Sequence, residues 1–291
     1  MSVLEAINLW KFFGATEALV DISIKLNRGL HLLLGPNGSG KTTLLKIWSG
    51  LLKPSRGKAY VMDKYIPWRD RHLIMKFMSV VFEDNAIPPW ISGKDFLRFY
   101  AYQKNIKWSS VVEIAEKLGV TSYWDRSVAG YSSGMKKKKL LLTVLSSEND
   151  EIIILDEPYT LLDKESINIV NEILEEKLKN VEAIVITSHV LTGIEKKINS
   201  LTILFNGKIL FHKNINELYR EGEITYVCET NDQLGFLEKL YSEGIRYIEV
   251  KNNKIFFKTR RQLEWIKEYK CKSFIDVREI YEKTLLELSR E

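Results

Sequence analysis

The chain has 291 residues, of which 45% are hydrophobic and 28% are charged, with a net charge of +5. This composition provides enough apolar material for a sizeable core and excludes a disordered chain. No apolar run approaches the roughly 18 to 20 residues of a membrane-spanning helix, and the first residues lack the features of a signal peptide. We therefore expect a cytoplasmic protein whose modest positive charge suits phosphate ligands without requiring a nucleic acid.

Strands and helices alternate along most of the sequence. Residues 3–10 and 18–26 show β-type alternation, and Leu30–Leu34 is typical of a buried parallel strand. The later elements predicted in this part are helices at Gly93–Asn105, Ser109–Gly119 and Met135–Ser146, a strand at Ile152–Leu155, a helix at Glu165–Asn180 and a strand at Ala183–Thr187. This order predicts an α/β fold with a parallel sheet covered by helices.

The pattern changes near residue 220, where we place a domain boundary, giving domains of residues 1–219 and 220–291. Before it, Asn206-Gly207 predicts a hairpin turn. After it, the predicted elements are strands at 224–228, 247–251 and 254–258 and helices at 232–242, 260–269 and 276–289. The second domain is therefore expected to be a small α+β unit. Its Cys228 and Cys271 have no metal-ligand spacing and are interpreted as ordinary thiols rather than a functional pair.

A glycine-rich segment follows the apolar strand Leu30–Leu34 and precedes a helix. Such a segment lets backbone N–H groups converge on an anion at a helix N-terminus. Lys41 is placed to reach the terminal phosphates of a nucleotide, and Thr42 offers a hydroxyl to Mg²⁺. The predicted nucleotide-binding residues of this loop are Gly35, Pro36, Asn37, Gly38, Ser39, Gly40, Lys41, Thr42 and Thr43.

The strand Ile152–Leu155 ends in two carboxylates, Asp156 and Glu157. Doubly wound sheets bind their ligands at the carboxyl ends of strands. In that position Asp156 is expected to hold a metal ion, and Glu157 to orient and polarise an attacking water molecule.

Together these segments resemble the ABC transporter ATPases over about residues 1–218. The family's signature segment, usually Leu-Ser-Gly-Gly-Gln, is matched by Tyr131–Met135, which keeps Ser132 and Gly134 and departs elsewhere. The resemblance implies an α/β P-loop ABC-type ATPase domain with a parallel sheet core, an antiparallel β edge and a helical subdomain near residues 84–150. It also implies a dimer in which Ser132 and Gly134 contact the ATP held by the opposite copy.

Further family positions follow from the same resemblance. Phe13 resembles the aromatic residue that stacks on adenine, and for Trp10 or Phe12 a place in the core is the open alternative. Asp163 resembles the loop residue at the dimer interface. His189 follows a predicted strand at the place of the family histidine that contacts the γ-phosphate, so it joins Lys41 and Glu157 as a predicted catalytic residue.

Glu83 stands where the family has a glutamine that touches Mg²⁺. A glutamate keeps an oxygen ligand but adds a negative charge beside the phosphates. Asp84 or a shifted loop is the alternative source of this contact. The predicted metal ligands are thus Thr42, Glu83 and Asp156, and the predicted cofactors are ATP and Mg²⁺.

Two basic segments have simple interpretations. We expect at least two of the four lysines in Lys136–Lys139 to lie on a solvated face. In Lys251–Lys272 the aromatic residues are expected to be core, although such a mixture also suits anionic lipid or nucleic acid. The final helix, with the stretch from Ser273 before it, weakly resembles the tail of simple exporter ATPases.

The sequence therefore predicts an ATP-hydrolysing motor subunit on the inner face of the cell membrane. Its expected partners are a transmembrane permease subunit, driven through Pro88-Pro89-Trp90 and neighbouring residues, and a second copy of itself or a homologous ATPase subunit. Trp90 is either an exposed anchor for the permease or a buried part of the helical subdomain. No nucleic acid is expected. The alternative is a soluble ABC-type ATPase acting on nucleic acid or ribosomes.

Overall fold

A computed structural model describes residues 1–82, 88–189, 193–221, 224–230, 232–245, 248–251, 254–260 and 263–288. The chain forms two compact units, Met1–His212 and Lys213–Glu291. The division lies a few residues before the boundary placed near residue 220. Within the described ranges, every helix is too short or too polar to cross a bilayer.

The first unit contains most of the regular structure. Its strands are β1 (Leu4–Phe13), β2 (Thr16–Leu26), β3 (Gly29–Leu34), β4 (Arg56–Val61), β5 (Met78–Val81), β6 (Ile152–Asp156), β7 (Ala183–Ser188), β8 (Ser200–Phe205) and β9 (Lys208–Asn214), the last running across the division. Its helices are α1 (Lys41–Trp48), α2 (Arg71–Ile74), α3 (Gly93–Lys104), α4 (Trp108–Lys117), α5 (Ser133–Leu145) and α6 (Lys164–Lys177), with short 3₁₀ helices at Val120–Ser122, Val128–Gly130 and Ile194–Lys197.

The central sheet has the strand order β5-β6-β7-β3-β8-β9, and the pairs from β5 to β8 are parallel. β3, β6 and β7 are almost entirely buried, which explains their continuous apolar runs. Because parallel strands end at the same edge of a sheet, the segments after Leu34, Asp156 and Ser188 are brought together.

An antiparallel sheet of order β2-β1-β4 forms the β edge, and its apolar side packs with α1 in one core that includes the fully buried Trp48. Helices α3, α4 and α5 pack on one another and form the helical subdomain. The α/β fold with a parallel sheet, an antiparallel edge and a helical subdomain is as predicted. β4 and β5 were not predicted, because their short sequences carry little periodicity.

The second unit has a four-stranded antiparallel sheet of order β11-β12-β10-β13. Its elements are α7 (Ile215–Glu221), β10 (Ile224–Glu229), α8 (Gln233–Ser242), β11 (Ile248–Lys251), β12 (Lys254–Thr259), a 3₁₀ helix at Glu264–Glu268, β13 (Lys270–Ile275) and α9 (Val277–Leu288). Phe236 and Leu240 of α8 pack against Phe257 and Ile255 of the sheet, together with Trp265. The small α+β class of this unit is as predicted.

Two predictions in this unit were wrong. The helix placed at 260–269 is a short 3₁₀ helix, and the residues after it form β13, which pairs with β10. The two cysteines are also not ordinary thiols. Cys228 and Cys271 stand directly opposite each other on β10 and β13, with 4.1 Å between their Cα atoms, and are joined by a disulfide. A strand pairing across 43 residues of sequence brings them together.

Candidate functional site

The glycine-rich loop connects the buried end of β3 to the first turn of α1. Gly40 precedes the helix with φ 103°, and a Cβ there would lie 2.7 Å from the carbonyl oxygen of Ala18. Only glycine suits this position, because an L side chain would be strained and would collide with backbone. Gly38 also has a positive φ, 79°, but a Cβ at that residue would meet open space. The described residues therefore leave room on that side of the loop.

Most of the predicted nucleotide-binding residues occur in this one segment. The positions before α1 are Gly35, Pro36, Asn37, Gly38, Ser39 and Gly40, and its first turn contains Lys41, Thr42 and Thr43. The Oγ atom of Ser39 is buried and has no hydrogen-bond partner among the described residues. An unpaired buried hydroxyl costs free energy, so its position within an anion-binding loop is consistent with a bound ligand completing its hydrogen bonds.

Lys41 points back over the loop. Its Nζ donates to the carbonyl oxygens of Gly35 at 2.7 Å and Pro36 at 3.1 Å, and it lies 3.7 Å from Oε1 of Glu157. Both side chains of the Lys41–Glu157 pair are more than nine-tenths buried. The ammonium charge is thus held at the mouth of the loop, where it can meet a terminal phosphate.

Asp156 is the centre of a group of oxygen atoms from three elements. Thr42 of α1 donates through Oγ1 to its Oδ2 at 2.7 Å, and Thr187 of β7 donates through Oγ1 to its Oδ1 at 2.6 Å. Hard oxygen donors of this type fit Mg²⁺, which keeps several of its own waters and takes few protein ligands. Among the described residues, no cluster of three or more acidic, histidine or cysteine side chains forms an all-protein metal cage.

Glu157 has a left-handed backbone with φ 47°. Its carboxylate lies between two other predicted catalytic residues, with Lys41 near Oε1 and Nδ1 of His189 at 2.8 Å from Oε2. The structure therefore brings together three predicted catalytic residues, with Glu157 in contact with Lys41 on one side and with His189 on the other. The hydrogen-bonded pair of Thr42 and Asp156 precedes Glu157 in the same site. A carboxylate fixed in this way is suited to accept a proton from water or to orient it.

A second group surrounds the start of α5. Ser132 caps that helix by accepting from Met135 N at 3.3 Å, and a Cβ on Gly134 would lie 2.8 Å from the carbonyl oxygen of Leu161. Asp163 caps α6 and accepts from Nζ of Lys138 at 2.8 Å. The hydrogen bonds from Lys138 and Ser166 hold the pKa of Asp163 well below its usual range. Ser132 is exposed, so its end of α5 is open to a ligand.

Phe13 lies at the end of β1 with 48% of its surface exposed, and Nζ of Lys11 is 5.0 Å from its ring centroid. Its two alternatives, Trp10 and Phe12, pack against each other with ring centroids 5.9 Å apart. Trp10 and Phe12 are half-buried, so Phe13 is the most exposed of the three rings. The predicted metal ligand Glu83 and its alternative Asp84 lie outside the described residues.

Sequence reasoning missed two residues of this site. Thr187 bonds both Asp156 and the backbone N–H of Glu157, and Lys137 donates from α5 to the carbonyl oxygen of Asp156 at 3.3 Å. The place of Thr187 near the end of the apolar strand β7 was a sequence signal from which its role could have been predicted. The sequence around Lys137 gave no such signal, because a run of four lysines resembles an exposed helix face. In the structure Lys136 is exposed and Lys138 part-exposed, whereas Lys137 and Lys139 are buried.

A strand–loop–helix phosphate cradle next to a strand that ends in Asp-Glu defines a nucleotide hydrolase of the P-loop class. Residues 19–160 match the family described as ABC transporter. The matched segment is therefore an ABC transporter domain, and the chain is an ATP-binding, ATP-hydrolysing subunit of a transporter.

Curated relatives agree with this assignment over most of the chain. The ABC transporter ATP-binding protein NatA of Bacillus subtilis is 26% identical over 220 residues, covering 72% of this chain and 89% of that protein. The Nod factor export ATP-binding protein I of Bradyrhizobium diazoefficiens is 28% identical over 258 residues, covering 87% of this chain and 84% of that protein.

Solved structures show the same fold. An ATP-binding subunit of an ABC transporter superposes with a TM-score of 0.67 at 23% identity, covering 83% of this chain and 99% of that one. The dimeric structure of MJ0796, a bacterial ABC transporter cassette, gives a TM-score of 0.64 at 17% identity, covering 73% and 98%. The predicted ABC-type fold is therefore confirmed.

Proposed function

We propose that the chain is a motor subunit that dimerises around two Mg·ATP and drives a separate transmembrane exporter subunit from the inner face of the cell membrane. The observation that carries this proposal is the division of the predicted site into two groups. Glu157 contacts both Lys41 and His189, whereas Ser132 and Gly134 lie at the start of α5, where Ser132 is exposed. A second copy facing the first would bring the two groups onto one nucleotide.

In this proposal the loop amides and Lys41 hold the phosphates, and Phe13 stacks on the adenine. Thr42 and Asp156 would hold Mg²⁺, with Glu83 as the predicted further ligand. The metal would supply neutralisation of phosphate charge. Glu157 orients the attacking water through Oε1 or Oε2, and His189 fixes the carboxylate and contacts the γ-phosphate.

The opposite copy would complete the site with Ser132, Gly134 and Asp163. The capped start of α5 offers backbone N–H groups and the positive end of the helix dipole to a γ-phosphate. The dimeric arrangement described for the cassette MJ0796 supports such a pairing. The name of one relative, the Nod factor export ATP-binding protein I, supports the exporter direction.

A partner surface is suggested by exposed aromatic rings in the helical subdomain. Trp90 is 81% exposed, and Phe99 and Tyr102 of α3 are also exposed. The position of Trp90 favours the anchor over a buried packing role, and aromatic anchors dominate many interfaces. We therefore assign these rings to the contact with the transmembrane subunit.

Replacement of the proposed water-orienting carboxylate tests the hydrolytic site. Glu157→Gln keeps the side-chain shape but loses the base, so we expect ATP binding to persist while turnover falls about a hundred- to ten-thousand-fold. Steady-state ATPase assays and nucleotide titrations measure the two effects, and size-exclusion chromatography with ATP should show an accumulated dimer. Glu151→Gln, an exposed change just before β6, is the matched control. Wild-type turnover by Glu157→Gln would remove Glu157 from this role.

A further inference from the structure

The peptide bond between Asp156 and Glu157 is held at both of its polar atoms. On one side, Glu157 N donates to Oγ1 of Thr187 at 2.9 Å. On the other, the carbonyl oxygen of Asp156 accepts from Nζ of Lys137 at 3.3 Å. Lys137 is only 5% exposed, so its ammonium is committed to the interior of the protein. This peptide therefore has little freedom to rotate.

The hydrogen bonds to this peptide matter because Glu157 has a left-handed backbone conformation that non-glycine residues disfavour. A non-glycine residue with φ 47° costs about 1–2 kcal/mol relative to ordinary backbone and persists only where its surroundings hold it. Relief of that cost requires φ of Glu157 to change, and this angle sets the direction of the Cα–Cβ bond relative to the preceding peptide. A change of φ, with tilting of that peptide, would carry the Glu157 side chain away from Lys41 and His189, which it now contacts at 3.7 and 2.8 Å.

We propose that Lys137 is a positioning residue for hydrolysis: it holds the Asp156–Glu157 peptide so that the Glu157 carboxylate stays aimed at the reacting water. The inference rests on the proposed role of Glu157. Lys137 belongs to α5, the helix that Ser132 caps. The bond therefore also joins the predicted signature helix to the catalytic strand of the same chain.

Three substitutions in α5 test the proposal. Methionine and glutamine have side chains of the same length, each one atom shorter than lysine, so Lys137→Met and Lys137→Gln differ chiefly in the N–H donor that glutamine offers to the Asp156 carbonyl. Lys136→Met, on the exposed face one residue earlier, is the control. We expect Lys137→Met to lower kcat about tenfold, the effect of one lost hydrogen bond, with KM for ATP within about twofold of wild type. Lys137→Gln should recover most of kcat, and Lys136→Met should match wild type.

Equal losses of kcat in Lys137→Met and Lys137→Gln would overturn the proposal, because the donor would then be irrelevant. So would a wild-type kcat in Lys137→Met. Circular dichroism checks the fold, and an unfolded Lys137→Met would also count against it, since Lys137 would then be a structural residue only.

A double substitution separates this inference from the role of Glu157 itself. If Lys137 acts through Glu157, adding Lys137→Met to Glu157→Gln should not lower the residual turnover further. If the fold losses of turnover in the two single variants multiply in the double variant, Lys137 acts independently of Glu157 and the proposal is contradicted. Should Glu157→Gln alone retain full turnover, the proposed catalytic role fails, whereas the effect of Lys137→Met on kcat is still measured separately.

Discussion

Two buried lysines of α5 have different surroundings. Lys137 finds a carbonyl acceptor, whereas Lys139 is fully buried and its Nζ has no hydrogen-bond partner among the described residues. That Nζ lies 4.2 Å from the ring centroid of Phe96 and 5.9 Å from that of Tyr131. Burial, with a smaller contribution from Lys136, lowers the pKa of Lys139 to about 8. The rings compensate part of the cost of this charge.

Lys139→Met should therefore stabilise the first unit at pH 7. A pKa lowered in the folded state means that the unfolded chain binds more protons between pH 8 and the ordinary lysine range, so wild-type stability rises with pH across that window. We expect Lys139→Met to raise the free energy of unfolding by about 2 kcal/mol at pH 7, after the lost ring contacts. The gain should shrink as the pH rises through 8 to 10.

Denaturant unfolding of both proteins at several pH values measures this difference, with Lys136→Met as the exposed control. A stability difference that does not change with pH would show that the Lys139 ammonium is not the cause.

At the scale of elements, α5 and α6 are joined at their starts. Asp163 accepts from Ser166 N at 2.8 Å, which caps α6, and from Lys138 of α5 at 2.8 Å. The cap satisfies an N–H group that the helix itself leaves unpaired. The ion pair between Asp163 and Lys138 contributes less to stability than the cap does, because the Asp163 side chain is more than half exposed and solvent screens the charges.

Asp163→Ala should lower the free energy of unfolding of the first unit by about 1 kcal/mol through the lost cap. Asparagine is an equally good cap, so Asp163→Asn should lose only the weaker ion-pair contribution. Since the pKa of Asp163 is lowered by its partners, its contribution is present above the ordinary carboxyl range and declines as the pH falls through it. Thermal and denaturant unfolding measure both variants, and equal destabilisation by alanine and asparagine would argue against the cap.

For the whole molecule, the exposed aromatic rings of the helical subdomain bear on the choice between a transporter and a nucleic-acid ATPase. A ring as exposed as Trp90 contributes little to the stability of the unit on which it lies, so its removal should leave folding intact. What its removal disturbs is therefore contact with another molecule.

We expect Trp90→Ala to retain the ATPase activity of the isolated subunit to within about twofold while losing recovery with the membrane fraction, as for other aromatic anchors. Tyr241→Ala, an exposed ring of the second unit, is the control and should be recovered normally. Turnover stimulated by DNA or RNA and lost as salt rises, without membrane association, would instead establish the alternative ATPase.

Much of this fold and site was predictable because its signals are local. The glycine loop is specified by backbone conformations that only glycine adopts easily, and β3 and β6 by continuous apolar runs. Since parallel strands end at one edge, the approximate meeting of Lys41, Asp156 and Glu157 followed from sequence as well. The hairpin turn is equally local, with Asn206 at φ 46° and Gly207 at φ 74°.

Only the tertiary structure decided which distant groups complete these segments. Thr187 and Lys137 reach the Asp156–Glu157 peptide from a neighbouring strand and from a helix, and nothing in their own sequence surroundings specifies those acceptors. β13 exists because β10 provides its hydrogen bonds, and this pairing places Cys271 opposite Cys228. The physical reason is common to these cases: hydrogen bonds, strand pairing and burial depend on partners that the chain supplies only after it has folded.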